Sequence, residues 1–350
     1  MPRSFRFFLL ALLAALALSI AACGDDDDSD SGGDSSGDGA AQEEGKSIKA
    51  GVVTDIGGLN DRSFNFLANK GLEDAEKELG IEGRVLISKS NGDYVPNLTT
   101  LAQQNFDLSV SVGFLMGEAT ATVAGKLPNN NFAIVDFPAS GLKGKPKNVE
   151  GLLFKEQEAG YLAGYLAALW AKDNDATTVS TVGGQKIPPV DHYIAGFQAG
   201  AKAANPGIKT LNAYSQDFVD QAKCKEIALD QISQGSKVVF QVAGQCGLGA
   251  LDAAKEQDAL GIGVDADQAF LGPHILTSAM KKVDVAVFDA IKGVQDGSFK
   301  GGTDVIATVE NGGVGLGKIG PAGEKYADQV KEVTDKLAAG EIKDIPDTVK

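Results

Sequence analysis

From Ile48 onward, short β-rich runs alternate with helix-length segments, and this alternation constrains the fold more than any other feature of the chain. The strand candidates are "IKAGVVT", "RVLIS", "LSVSVG", "FAIVDF", "VEGLLF", "TTVSTVGG", "IKTLNAYS", "KVVFQVAG", "GIGVD", "HILTSAM" and "DVIATVE". Between them lie helical patterns such as 64–79, 156–172, 190–204, 221–234, 283–295 and 324–339. Over 64–79 the spacing places Phe64, Leu67, Leu72, Ala75 and Leu79 on one face, and Asp61 and Ser63 precede it as N-cap types. Strict β–α–β alternation predicts parallel strands with right-handed crossovers. So many strands fit two sheets in two lobes better than one open sheet; a (β/α)₈ barrel is the rival. In either fold a ligand sits at the carboxyl ends of the strands.

Those ends are rich in polar groups. The first strand runs into "TDIGGLNDRSFN", with Asp55, the fourth ends in "VDF", with Asp136, and the ninth in "VDADQ", with Asp265. Turn chemistry favours Gly and Asp at any one end. Three aspartates delivered to one edge exceed what turns require and predict a shared ligand site. Catalytic motifs do not accompany them. "GQCGLG" departs from G-x-G-x-x-G, no G-x-x-x-x-G-K-[ST] occurs, and from Ile48 onward there is no G-x-S-x-G. The first loop reads D-x-G-G-x-x-D and lacks the clustered aspartates of a nucleoside hydrolase calcium site. His192 and His274 lie far from each other and have no zinc-ligand spacing with the cysteines. The expectation is binding rather than catalysis, with no metal and no cofactor. A net charge of −15 argues against a nucleic-acid partner.

The N-terminus stands apart. "MPRSFRFFLLALLAALALSIAAC" has Arg3 and Arg6, an apolar run and small residues before Cys23, the pattern of a secretory signal. "IAAC" matches the bacterial lipobox, which makes Cys23 the lipidation site after removal of residues 1–22. Residues 23–46 then form an acidic Gly/Ser/Asp tether with too little apolar surface to fold. Without the tether's nine acids and the two signal arginines, −8 remains on the rest of the chain. Cys224 and Cys246 are left as an even pair in an exported chain, so a disulfide between them is admissible if their Cα atoms lie within about 7 Å.

Taken together, "TDIGGLNDRSFNFLANKGLEDAEKELG", "FAIVDF", "EQEAGYLAGYLAAL", "VGGQKIPPVDHYIAGFQAGAKAANPGI", "DFVDQAKCKEIALDQISQGSKVVFQVAG", "GLGALDAAKE", "GIGVDADQ" and "ILTSAMKKVDVAV" resemble the basic membrane protein family. These are bacterial lipoproteins that bind purine nucleosides for an ABC importer. The resemblance covers nearly all of 48–300 in the family's order. It implies an α/β type I periplasmic-binding-protein fold: two Rossmann-like lobes with parallel sheets, joined by a three-stranded hinge. The expected lobes are 47–154 with 278–304, and 155–277 with 305–350. The crossings then fall near 153–156, 277–279 and 303–309.

The resemblance also implies a pocket. Phe64 and Phe218 would stack on the two faces of a base, each being equally readable as a core residue at a helix entry. Asn65 and Asp136 would face the base edge, and Asp55 would either join them or cap its own loop. Asp265 and Lys281 would clamp the ribose, with backbone help near Gly244. The implied setting is the outer face of the cell membrane, with a lipid anchor, ABC permease partners and a monomeric state. Two other functions remain open: a binding protein for a simple sugar or signalling molecule on the same fold, and a nucleoside hydrolase.

Overall fold

The computed structural model describes residues 47–349. The signal, Cys23 and tether readings lie outside the described residues. The alternation resolves into β1 (Lys49–Val53), α1 (Phe64–Leu79), β2 (Glu82–Leu86), α2 (Tyr94–Gln103), β3 (Leu108–Ser111), α3 (Gly117–Lys126), β4 (Asn131–Val135) and β5 (Val149–Phe154). The chain continues with α4 (Glu156–Asp173), β6 (Thr178–Gly183), α5 (Pro188–Ala204), β7 (Lys209–Tyr214), α6 (Gln221–Ser233), β8 (Ser236–Val242), α7 (Gly244–Glu256), β9 (Leu260–Asp265) and β10 (Ile275–Lys281). It closes with α8 (Val283–Asp296), β11 (Asp304–Ala307), β12 (Val314–Leu316) and α9 (Ala327–Ala338).

Two six-stranded sheets form, ordered β11-β5-β4-β3-β1-β2 and β12-β10-β9-β8-β6-β7. Two open sheets exclude the single-barrel alternative. Strand for strand the two orders correspond, so β4 and β9 occupy equivalent places, as do β5 and β10. All pairings among the described residues are parallel except β10 with β12. Parallel strands covered on both faces need continuous apolar runs, and β3, β4, β6 and β9 are buried nearly end to end. In the first lobe α1 packs beside α8, and α2 beside α3; in the second, α4 packs beside α5, and α6 beside α7.

The α4–α5 contact is the closest of these. A Cβ on Gly164 would stand 1.9 Å from the Phe197 carbonyl oxygen, and one on Gly200 would stand 1.9 Å from that of Tyr161. Glycine at these positions is a packing requirement, because the two backbones touch.

The changeovers between sheets lie later than the sequence spacing suggests. β10 stays in register with β9 through Met280 and with β12 through Lys281. The chain therefore leaves the second sheet after Lys281, not at 278. β11 pairs with β5 through Ala307, so residues 305–307 belong to the first sheet and the last crossing falls between 307 and 314. In both cases ladder hydrogen bonds, invisible in the hydropathy pattern, set the boundary.

Candidate functional site

The eight residues named from the sequence line one cavity between the lobes: Asp55, Phe64, Asn65, Asp136, Phe218, Gly244, Asp265 and Lys281. The space between its lining atoms is about 620 Å³ with the open mouth included. The loop after β1 is built from the inside. Asp61 accepts the backbone N–H groups of Ser63, Asn65 and Phe66 at 3.1, 2.7 and 3.1 Å. It thereby satisfies the open N-terminus of α1. Ser63, expected to share that capping role, makes no side-chain cap. Its hydroxyl instead crosses the cleft to Asp265 Oδ2 at 3.1 Å. Asn65 Oδ1 accepts from the Asp55 N–H at 2.9 Å, tying the helix start to the strand end. Gly57 turns the chain at φ 108°, open to glycine at little cost.

Asp136 and Asp265 follow or end the equivalent strands β4 and β9, and both adopt left-handed backbone, at φ 68° and 61°. Aspartate tolerates this conformation better than most residues, and such outliers gather at functional sites. Asp136 Oδ2 and Oδ1 accept from Lys281 Nζ at 2.8 and 3.0 Å. Asp265 accepts from Ser63 and, at 3.3 Å, from the Tyr193 hydroxyl. Both contacts made by Lys281 to Asp136 and by Ser63 to Asp265 run from one lobe to the other, so this is a closed form of the cleft.

Lys281 is the last residue of β10 rather than the opening of the next helix, and it is 2% exposed. Its ammonium lies 4.9 Å from the Phe64 ring centroid and 3.3 Å from Glu156 Oε1. Burial disfavours the ammonium, but Asp136, Glu156 and Asp265 outweigh it and hold its pKa well above the ordinary value. The lysine assigned to the ribose end and the carboxyl assigned to the base edge are thus one ion pair.

The remaining carboxyls are strained by burial. Desolvation pushes Asp55 up to about 6, against a hydrogen bond from Tyr94 and one from the Ile56 N–H. Desolvation likewise raises Asp61, Asp136 and Asp265. Asp55 accepts from the Ile56 N–H within its own loop and also lines the cavity.

Phe218 stands after β7 on the second lobe. A Cβ on Gly184 would meet its ring at 2.3 Å, which shows the ring lying on the glycine backbone. Its carbonyl accepts from the Cys246 N–H at 3.0 Å. Cys246 is bonded to Cys224, with Cα atoms 5.5 Å apart, and the pair links the first turns of α6 and α7. Gly244 opens α7 at φ 56°. Tyr193, Glu156 and Tyr94 were not singled out by the sequence, and His192 was weighed only as a zinc ligand. Their signal was hidden because each lies in a helix, where an aromatic or acid reads as packing or solvated surface. Among the described residues no group of His, Cys, Asp and Glu is arranged to hold a metal ion. No described helix is long and apolar enough to cross a membrane.

Comparison with known proteins agrees with this architecture. The family described as "ABC transporter substrate-binding protein PnrA-like" matches residues 48–349. An uncharacterised lipoprotein of Pyrococcus horikoshii is 38% identical over 319 residues, covering 87% of this chain and 76% of the relative. The ABC transporter nucleoside-binding protein BmpA of Lactococcus lactis subsp. cremoris is 35% identical over 317 residues, covering 84% and 88%. An ABC transporter solute-binding protein from Aeropyrum pernix K1 superposes with a TM-score of 0.77 at 28% identity, covering 85% of this chain and 94% of that one. With two parallel-sheet lobes closing on one pocket and a family match spanning them both, this chain belongs to the Bmp family of ABC transporter substrate-binding proteins.

Proposed function

We propose that this protein captures purine nucleosides in the interlobe cleft and delivers them to an ABC permease, held to the outer face of the membrane by lipid on Cys23. The observation that carries the reading is the pairing of Phe64 from one lobe with Phe218 from the other on a cavity whose polar wall is mostly carboxyl. Two aromatic walls suit a flat ring, each stacking contact contributing roughly 1–3 kcal/mol. Carboxyl oxygens suit the N–H and O–H groups of a base edge and a ribose, and disfavour an anionic ligand. Asp136 and Asn65 would serve the base edge, Asp265 and Lys281 the sugar hydroxyls, with the Gly244 turn beneath. The name of the Lactococcus relative, a nucleoside-binding protein, supports the same class.

Calorimetry with inosine, guanosine and adenosine tests the reading, with free ribose and other simple sugars as competitors. Saturable nucleoside binding without release of free base is expected. Binding of a sugar but of no nucleoside would overturn it in favour of a sugar-binding role. Release of base on incubation would overturn it in favour of hydrolysis.

A further inference from the structure

Behind Lys281 lies a second shell that the nucleoside reading does not use. Glu156, the first residue of α4, is 2% exposed and divides its two oxygens between two bases. Oε1 lies 3.3 Å from Lys281 Nζ, and Oε2 lies 3.0 Å from His192 Nδ1. His192 projects from α5 and keeps 28% of its side chain exposed, so a proton reaches it from solvent while its partner is sealed in. Lys281, Glu156 and His192 all belong to the second lobe, whereas Asp136 belongs to the first. The ammonium is therefore shared between a carboxyl of its own lobe and one across the cleft.

We propose that Glu156 and His192 are a proton-operated positioning pair, which sets how much of the Lys281 charge is available to Asp136 and to the ligand. When His192 is neutral, Glu156 keeps its full negative charge and competes for the ammonium within the second lobe. When His192 is protonated, the imidazolium compensates Glu156. Lys281 then turns its charge to the other lobe, and the closed, ligand-holding form gains. Neither Glu156 nor His192 touches the ligand; both act through Lys281.

The charged groups facing His192 come from three directions: Glu156 on α4, Asp347 on the C-terminal segment and Asp136 at the end of β4. Burial works against the imidazolium. The hydrogen bond to Glu156 and the charges of the three carboxyls outweigh it and place the imidazole above its ordinary value. The device therefore operates above the ordinary imidazole range, histidine being the natural proton switch. Affinity is highest below the His192 pKa and is lost as pH rises through it.

The inference rests on the proposed nucleoside site for one of its two readouts only. In the first, inosine affinity is measured from pH 6 to 8.5 in the wild type and in His192→Gln, which keeps a donor to Glu156 but carries no proton. The wild type weakens by about fivefold or more across the window, the scale of a modest coupling. His192→Gln loses that part of the dependence while keeping its thermal stability; Glu156→Gln loses the dependence too, at some cost in stability. The second readout needs no ligand. The chain has two histidines, so the His192 ring protons are assigned by NMR against His192→Gln. Lys281→Met should raise the His192 pKa by about 0.5, because the cation competing for Glu156 is gone; Lys281→Gln serves where the methionine variant does not fold. Should no nucleoside bind at any pH, the nucleoside reading falls and the histidine titration decides the pair by itself. An affinity profile in His192→Gln identical to the wild type, or a His192 titration indifferent to Lys281, overturns the inference.

Discussion

Phe64 opens α1, lines the cavity and lies 4.9 Å beneath the Lys281 ammonium, so one ring serves ligand and cation together. Phe64→Ala should remove a stacking wall and weaken nucleoside binding by roughly tenfold to a hundredfold, read by calorimetry. Asp55 gives a prediction of opposite sign for stability. Its carboxyl is raised from 3.8 to about 6 by burial, so its contribution is fully favourable only below the unfolded pKa and is lost as pH rises through 6. Asp55→Asn should therefore stabilise the fold at pH 8 by up to about 3 kcal/mol, and the gain should shrink as pH falls towards 4. Urea unfolding at pH 8 and pH 5 checks both the sign and the trend. Asp55, Asp136 and Asp265 were readable because strand ends announce themselves by Asp after β-branched runs; Phe64, Asn65, Phe218, Gly244 and Lys281 came from the family resemblance, and all eight line the cavity. The role of Ser63 was not readable. A serine before a helix looks like a cap, and only the approach of the second lobe gives its hydroxyl Asp265 instead.

Among the elements, α4 and α5 meet through backbone rather than side chains, and the cost of filling that contact follows directly. Gly164→Val should destabilise the protein by about 3 kcal/mol or more, since its Cβ would fall 1.9 Å from a carbonyl oxygen that cannot retreat without moving α5. Denaturant midpoints report it. The Cys224–Cys246 bond closes a separation of 22 residues, a loop for which chain entropy suggests about 3 kcal/mol. Its loss in a double alanine variant should lower stability by that order and also weaken ligand binding, because the bond ties α6 to the first turn of α7, whose backbone N–H at 246 holds the Phe218 carbonyl. Loss of stability with unchanged affinity would confine the bond to a structural role. The eleven strands expected from the sequence are all present. β12 was missed because three residues in the glycine-rich "NGGVGLGKIG" carry no alternation; its strand character comes from antiparallel pairing with β10.

For the whole molecule, the proposed function turns on cleft closure. The two lobes share contacts at Ser63–Asp265 and Lys281–Asp136, and a ligand gripping both sides would bias the hinge towards this form. A purine nucleoside at 100 times its Kd should add about 2.7 kcal/mol and raise Tm by several degrees. A thermal shift across a nucleoside and sugar panel measures this, and at the same concentration Phe64→Ala should shrink the gain to about 1.4 kcal/mol or less.

The order of strands and helices, the parallel two-lobed plan and the aspartate-bearing strand ends that line the cleft were determined by the sequence alone. They depend on local patterns: apolar runs, β-branched residues, and turn residues at fixed offsets. Tertiary structure decided what those patterns cannot encode. It set where the chain leaves each sheet, because ladder pairing rather than hydropathy ends β10 and β11. It joined Asp136 to Lys281 across 145 residues and placed Glu156 and His192 behind them. A buried charge is defined by its partners: Glu156 reaches Lys281 within the second lobe, and Asp136 meets it from the first.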